Sequence, residues 1–217
     1  MKYNAVIFDL DGTLLDTTQG VVESAIYVAK TLGLVELPYE TMLSFVGPPI
    51  QNSFKKHYCF DDVLAQKAGE IFRDYYKETA LIKAVPYDGI FELCENLRKE
   101  GLKLAVATYK REDYAITLLN HFGFDRYCVS MHGADNNNVL KKSDIVNMCM
   151  TEIGGTPETS VLIGDTVHDA LGAQNVGIDF IAVTYGFGFR KTDVVPYPCI
   201  GIANKPQEIL NILSLQS

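Results

Sequence analysis

Short apolar runs alternate with amphipathic helical stretches along most of this chain, and that alternation restricts the possible folds more than any other feature. Residues 3–8 alternate too little for a strand with one wet face and read as fully buried. Leu102 to Ala107, Ser160 to Ile163 and Phe180 to Tyr185 have the same character. A weaker run spans Tyr127 to Met131, and Ile200 to Ala203 reads as a last, short edge strand. Between them, Ile90, Leu93, Cys94 and Leu97 form one helical stripe, and Tyr114, Leu118 and Phe122 a second. Ile145, Cys149 and Ile153 form a third. A helix places residues three and four apart on one face, whereas a strand covered on both faces needs unbroken apolar sequence. The pattern predicts an α/β fold: a mostly parallel sheet with helices on both faces, its strand ends delivered to one crevice.

One segment breaks the rhythm. From about Leu15 to Lys83 there is no buried-strand pattern, only helical stretches. Thr17 or Thr18 can cap the first, whose apolar face is Val21, Val22, Ala25, Ala29 and Leu32. Gly47-Pro48-Pro49 divides the segment and opens a helix with proline near its first turn, and Asp61-Asp62 starts a long helix through Phe72 and Tyr76. Such a stretch is too long for a loop and too helical for a sheet edge. Residues 1–15 and 83–217 are therefore expected to form a discontinuous α/β core, with residues 16–82 inserted as a small α-helical cap domain.

At 217 residues the chain can bury one good core and carry a smaller second unit. Nineteen Lys and Arg against 27 Asp and Glu give a net charge of −8, which argues against a nucleic acid polymer as partner. A phosphorylated small molecule stays open, because a metal and one lysine can invert the field inside a pocket. No apolar run approaches the roughly 18 residues of a membrane span, so no membrane partner is expected. The start, Met1-Lys2-Tyr3-Asn4, leads directly into a strand and shows no signal-peptide pattern. Five scattered cysteines without a Cys-x-x-Cys favour a reducing, cytoplasmic setting, and the four histidines lack metal-ligand spacing. A monomer or weak homodimer is expected.

The strand ends carry the chemistry. The first runs into Asp9-Leu10-Asp11-Gly12-Thr13, two acids one residue apart at the end of an apolar strand. Like charges this close raise each other's pKa, and burial adds a desolvation penalty, whereas a hard cation such as Mg2+ relieves both. Thr108 follows the second strong strand, with Tyr109-Lys110-Arg111 after it. Lys141-Lys142 open a helix after the polar Asn136-Asn137-Asn138 stretch, and Gly164-Asp165-Thr166-Val167-His168-Asp169 follow another strand. In a parallel sheet all of these converge on one rim. Asp9 then suits a nucleophile and metal ligand, and Asp11 an acid and subsequent base. Gly12 suits the sharp turn, and Thr108 with nearby backbone N–H groups can hold a phosphoryl oxygen. One lysine can neutralise the transferring group. Asp165 is the natural second metal carboxylate, with Asp169 in support, and His168 is expected to be peripheral. Phosphoryl transfer needs little beyond such a set.

These residues resemble the haloacid dehalogenase-like hydrolase superfamily, specifically its small helical-cap phosphatases of the phosphoglycolate phosphatase type. Asp9-Leu10-Asp11-Gly12-Thr13-Leu14 is similar to the first motif, Thr108 to the second, Lys142-Ser143-Asp144-Ile145-Val146 to the third and Gly164 to Asp169 to the fourth. Lys141 is the residual alternative for the lysine. The resemblance implies a Rossmann-like core and an aspartyl-phosphate formed on Asp9, with Asp11 as acid/base. It also implies Mg2+ held by Asp9, the backbone carbonyl of Asp11, and Asp165, with Asp169 supporting. The implied catalytic set is Asp9, Asp11, Thr108 and Lys142, and the substrate a small phosphorylated metabolite: phosphoglycolate, a sugar phosphate or a nucleoside monophosphate. Candidate substrate contacts are Gly12, Thr108, Tyr109 and Lys142 in the core, with Thr17, Gln19 and Gly47 in the cap. Two departures stand out: Tyr109 occupies a place where the family commonly has Asn or Ser, and Ser143 follows the lysine where proline is usual. A β-phosphoglucomutase-like phosphosugar mutase shares all four motifs and is the alternative reading. A noncatalytic Mg2+/phosphate-binding module is a more distant one.

Overall fold

A computed structural model describes residues 2–135, 139–190 and 197–216; the Asn136-Asn137-Asn138 stretch lies outside them. The chain divides into two compact units, Thr17–Val85 and the sequence on either side of it.

The inserted unit is helical: α1 (Thr18–Thr31), α2 (Tyr39–Leu43), α3 (Ile50–Tyr58) and α4 (Asp62–Tyr75), the last running on into a π-helical turn, Tyr76–Ala80. Helix α1 buries Val21, Val22, Ala25, Val28 and Ala29, so Val28 rather than the half-buried Leu32 completes its apolar stripe. Thr17 occupies the N-cap position, but its side chain makes no capping hydrogen bond. Asp61 does cap α4, accepting the Leu64 N–H at 2.8 Å. Glu23 of α1 accepts from the Tyr75 hydroxyl at 2.7 Å and from Lys83 Nζ at 2.6 Å, tying the two ends of the unit together.

The other unit is built on six parallel strands: β1 (Ala5–Phe8), β2 (Lys103–Arg111), β3 (Cys128–Ala134), β4 (Ser160–Gly164), β5 (Asp179–Val183) and β6 (Gly201–Ala203). Their order across the sheet is β3-β2-β1-β4-β5-β6, so the short β6 lies at an edge. Helices α5 (Ile90–Lys99), α6 (Glu112–Phe122), α7 (Lys142–Glu152), α8 (Val167–Val176) and α9 (Gln207–Ser214) complete it. All four residues of β1 are fully buried, as an unbroken apolar strand between helical layers must be. Ala5 and Ile7 pack with Ile145, Val146 and Cys149 of α7 and Ala170 and Ala173 of α8 on one face. The chain builds outward from β1 through β2 to β3, then returns to the other side of β1 with β4. That reversal opens a crevice beyond the carboxyl ends of β1 and β4, the place where open α/β sheets bind ligands.

Two elements differ from their sequence pattern. Strand β2 continues past Ala107 to Arg111, and its pairing with β3 is irregular between Ala107 and Arg111. Helix α6 buries Tyr114, Ala115, Leu118 and Leu119 and leaves Phe122 half-buried, because its contact face turns away from the predicted stripe at the last turn.

Candidate active site

Strand β1 delivers Asp9 directly: the Asp9 N–H donates to the Ile163 carbonyl at 2.8 Å, so sheet pairing continues one residue past the strand. The chain then folds tightly. The Leu10 carbonyl accepts from Leu14 and Leu15 N–H, each at 3.0 Å, and Gly12 N–H donates to the Leu15 carbonyl at 2.9 Å. Gly12 has φ +82°, and a Cβ on it would overlap the Asp165 carboxylate. Glycine is therefore required twice over, by backbone conformation and by the close approach of β4's terminal loop.

Three acids meet here. Single carboxylate oxygens of Asp9, Asp165 and Asp169, all buried, lie within 4.8 Å of one another. Lys142, itself 3% exposed, enters from the first turn of α7. Its Nζ donates to Asp9 Oδ1 at 2.5 Å and pairs with Asp169 Oδ1 at 2.6 Å. Gly172 of α8 leaves room for the Lys142 stem, since a Cβ there would approach Lys142 Cγ to 2.7 Å. Lys141 is exposed, so Lys142 is the lysine that reaches the carboxylates. Burial pushes Asp9 above the ordinary carboxylate range, against the pull of the Lys142 ammonium. Asp165 is raised well above it by burial, then by Asp169 and Asp9. Burial works against the Lys142 ammonium too, but Asp169 and Asp9 outweigh it and keep lysine protonated.

Three buried carboxyl groups share one ammonium in a low-dielectric place, so their ionised forms are under-compensated unless a further cation joins them. Asp165 Oδ2 accepts from Phe187 and Gly188 N–H at 2.8 and 3.0 Å, while Asp165 Oδ1 is buried with no hydrogen-bond partner among the described residues. Asp169 Oδ2 is held by Thr166, through its N–H at 3.0 Å and its hydroxyl at 2.6 Å. An all-oxygen donor set, more buried acids than the one lysine can compensate and an orphaned carboxylate oxygen fit a hard divalent cation.

Asp11 points elsewhere. Its Oδ1 and Oδ2 lie 3.0 and 3.1 Å from Lys110 Nζ, and the two side chains are 12% and 8% exposed. The Lys110 N–H donates to Thr108 Oγ1 at 3.1 Å, which leaves the buried Thr108 hydroxyl its own hydrogen to donate. Sequence reasoning assigned Lys110 no role. Tyr109 is also engaged differently from a simple phosphate contact: its hydroxyl oxygen accepts the Lys142 N–H at 2.9 Å, and its ring meets exposed His168 edge-on at 5.4 Å. Thus the core candidates Asp9, Lys142, Asp165 and Asp169 form one cluster, with Asp11, Thr108 and Tyr109 tied in through Lys110 and Lys142. Thr17, Gln19 and Gly47 belong to the helical unit: Thr17 precedes α1, Gln19 is exposed in its first turn, and Gly47 has φ +98° between α2 and α3.

Among the described residues, no helix is long and apolar enough to cross a membrane. A 5'-nucleotidase of Pseudomonas aeruginosa is 34% identical over 87% of this chain and 86% of its own length. A phosphoglycolate phosphatase of Agrobacterium fabrum is 31% identical over 83% and 80%. The solved structure of a predicted phosphatase from Clostridium acetobutylicum superposes with a TM-score of 0.90 at 32% identity, covering 99% of this chain and all of that one. The family model for haloacid dehalogenase-like hydrolases matches residues 6–183, a span that runs from β1 and the Asp9 loop to the end of β5, and the chain belongs to that family.

Proposed function

We propose that this enzyme is a Mg2+-dependent phosphate monoester hydrolase that works through an aspartyl-phosphate on Asp9. The observation that carries the reading is the buried Asp9 carboxylate, held by Lys142 at the topological switch point beside Asp165 and Asp169. Relatives named 5'-nucleotidase and phosphoglycolate phosphatase, at 34% and 31% identity, support the reaction class. Asp9, the Asp11 carbonyl, Asp165 and Asp169 would hold Mg2+, which supplies charge neutralisation for the nucleophile and the transferring group.

An Asp9 carboxylate oxygen attacks phosphorus, the P–O bond to the leaving alcohol breaks, and protonated Asp11 gives its proton to that oxygen. Asp11, now a carboxylate, takes a proton from water as the water oxygen attacks phosphorus and the bond to Asp9 breaks. Lys142 stays protonated and balances charge on Asp9 throughout. Thr108 donates its hydroxyl hydrogen to a phosphoryl oxygen. The helical unit acts as the cap that selects the leaving group, with Thr17, Gln19 and Gly47 as its candidate contacts. The substrate is a small phosphorylated metabolite.

The test is phosphate release from a panel of phosphoglycolate, sugar phosphates and nucleoside monophosphates, with and without Mg2+. Conversion of glucose 1-phosphate to 6-phosphate is assayed alongside. Mg2+-dependent release by the native chain, lost in Asp9→Asn, is the expected result. Near-normal turnover by Asp9→Asn would refute the mechanism, because a carboxamide is a poor nucleophile.

A further inference from the structure

We infer that Lys110 is a positioning residue for the proton carrier: it fixes the orientation of the Asp11 carboxyl group. The inference rests on the phosphatase reading above and deepens it, since it concerns how the acid is aimed. Lys110 and Asp11 are 99 residues apart, yet the ammonium contacts both carboxyl oxygens at 3.0 and 3.1 Å. With side chains only 8% and 12% exposed, this pair is not a screened surface contact, whose geometry water would leave loose. A carboxyl on a short side chain gripped at both oxygens has one orientation available, and proton transfer depends on orientation.

The local backbone explains how a lysine gets there. Regular pairing of β2 with β3 lapses between Ala107 and Arg111. Such irregularities near strand ends re-aim side chains. In the same segment the Lys110 N–H donates to Thr108 Oγ1. One residue therefore orients both the Thr108 hydroxyl, through its backbone, and the Asp11 carboxyl, through its side chain. Lys142 takes a different task, because its Nζ serves Asp9 and Asp169. The two lysines divide the site: one beside the nucleophile and one beside the proton carrier.

The experiment compares two esters that need the proton to different degrees. Breaking the bond to an alkoxide requires protonation, whereas p-nitrophenolate leaves readily without it. Steady-state kcat/KM, which reports the steps through loss of the leaving group, is measured with Mg2+ present for an alkyl phosphate and for p-nitrophenyl phosphate. The proteins are the native chain, Lys110→Met, Lys110→Arg, Asp11→Asn and the double variant Lys110→Met/Asp11→Asn. Lys110→Met is expected to lower kcat/KM for the alkyl ester by roughly 10- to 100-fold. The loss for p-nitrophenyl phosphate is expected to be at least tenfold smaller. Lys110→Arg recovers part of the alkyl activity, and Lys110→Met costs nothing further once Asp11 is Asn. Equal losses on both esters, or an undiminished alkyl rate, would overturn the assignment, as would full additivity with Asp11→Asn. If Lys110→Met does not fold, Lys110→Gln is judged by the same criteria. Absence of phosphate release by the native chain on either ester would instead reject the underlying phosphatase reading.

Discussion

Tyr109 occupies a position where a small amide or hydroxyl side chain is the commoner choice, and its contacts show what the larger residue does. Its hydroxyl oxygen accepts the Lys142 N–H, one of the amides at the start of α7 that no helical carbonyl can satisfy. Tyr109→Phe removes only that acceptor. The unmet buried N–H should cost about 1 kcal/mol of stability, read from the urea midpoint. It should also reduce kcat by a few-fold rather than abolish it, since Asp9 and Asp169 still hold Lys142 Nζ. A kcat unchanged alongside an unchanged midpoint would show that the hydroxyl does not anchor the lysine. The acids were legible in the sequence because two aspartates one residue apart at a strand end are hard to explain otherwise. Lys110 was visible but mute, and Tyr109 was read only as a candidate substrate contact. Their partners, Lys142 and Asp11, are fixed by an irregular strand end and by the parallel pairing of β1 with β2, and neither leaves a periodic trace.

At the scale of elements, the buried strands were readable because apolar sequence without alternation has few other uses, whereas the polar end of β2 carried no such signal. The edge strand β3 holds a feature that sequence could not reveal. His132 Nδ1 lies 3.2 Å from Glu112 at the start of α6, and Nε2 lies 2.9 Å from Glu152 at the end of α7. Ser130 also donates to Glu152 at 2.7 Å. Burial alone would lower the pKa of His132, but hydrogen bonds and charges from Glu152 and Glu112 outweigh it and raise it above the ordinary histidine value. A raised histidine pKa means that the clamp contributes fully below the unfolded value, near 6.5, and is lost as pH rises through the folded value. Cys149, which faces the same cluster, is pushed up by burial to about 11 and stays neutral throughout that range. His132→Gln should therefore narrow its stability deficit as pH increases from about 6 to about 8. Urea midpoints of the two proteins at both pH values give the comparison. A deficit that stays constant would mean that the imidazolium charge contributes nothing to the clamp.

On the scale of the whole molecule, the order β3-β2-β1-β4-β5-β6 decides which strand ends become neighbours, and no local pattern encodes it. It follows from a chain that builds outward from β1 through β2 to β3 and then returns to the other side of β1 with β4, and it brings Asp9 beside the β4 loop that carries Asp165 and Asp169. The fold thus gathers negative charge at its own centre, which is costly. Each buried ion carries a desolvation penalty of about several kcal/mol, and Lys142 can offset only part of three carboxylates. Stability and cation binding are then coupled through the same atoms. At a Mg2+ concentration about a hundred times its Kd, binding to the folded state alone should add about 2.7 kcal/mol. For a chain of this length that corresponds to a rise in Tm of roughly 5 to 10 °C. Asp165→Asn separates the two effects. Its side-chain oxygen can still accept from Phe187 and Gly188, but one buried charge is gone. Without Mg2+ the variant should melt above the native chain, and with saturating Mg2+ it should melt below it. That inversion is specific to charge stored for a cation, because a merely structural Asp165 would lower Tm under both conditions. An Asp165→Asn protein that keeps the native Mg2+-dependent rise would remove Asp165 from the metal site.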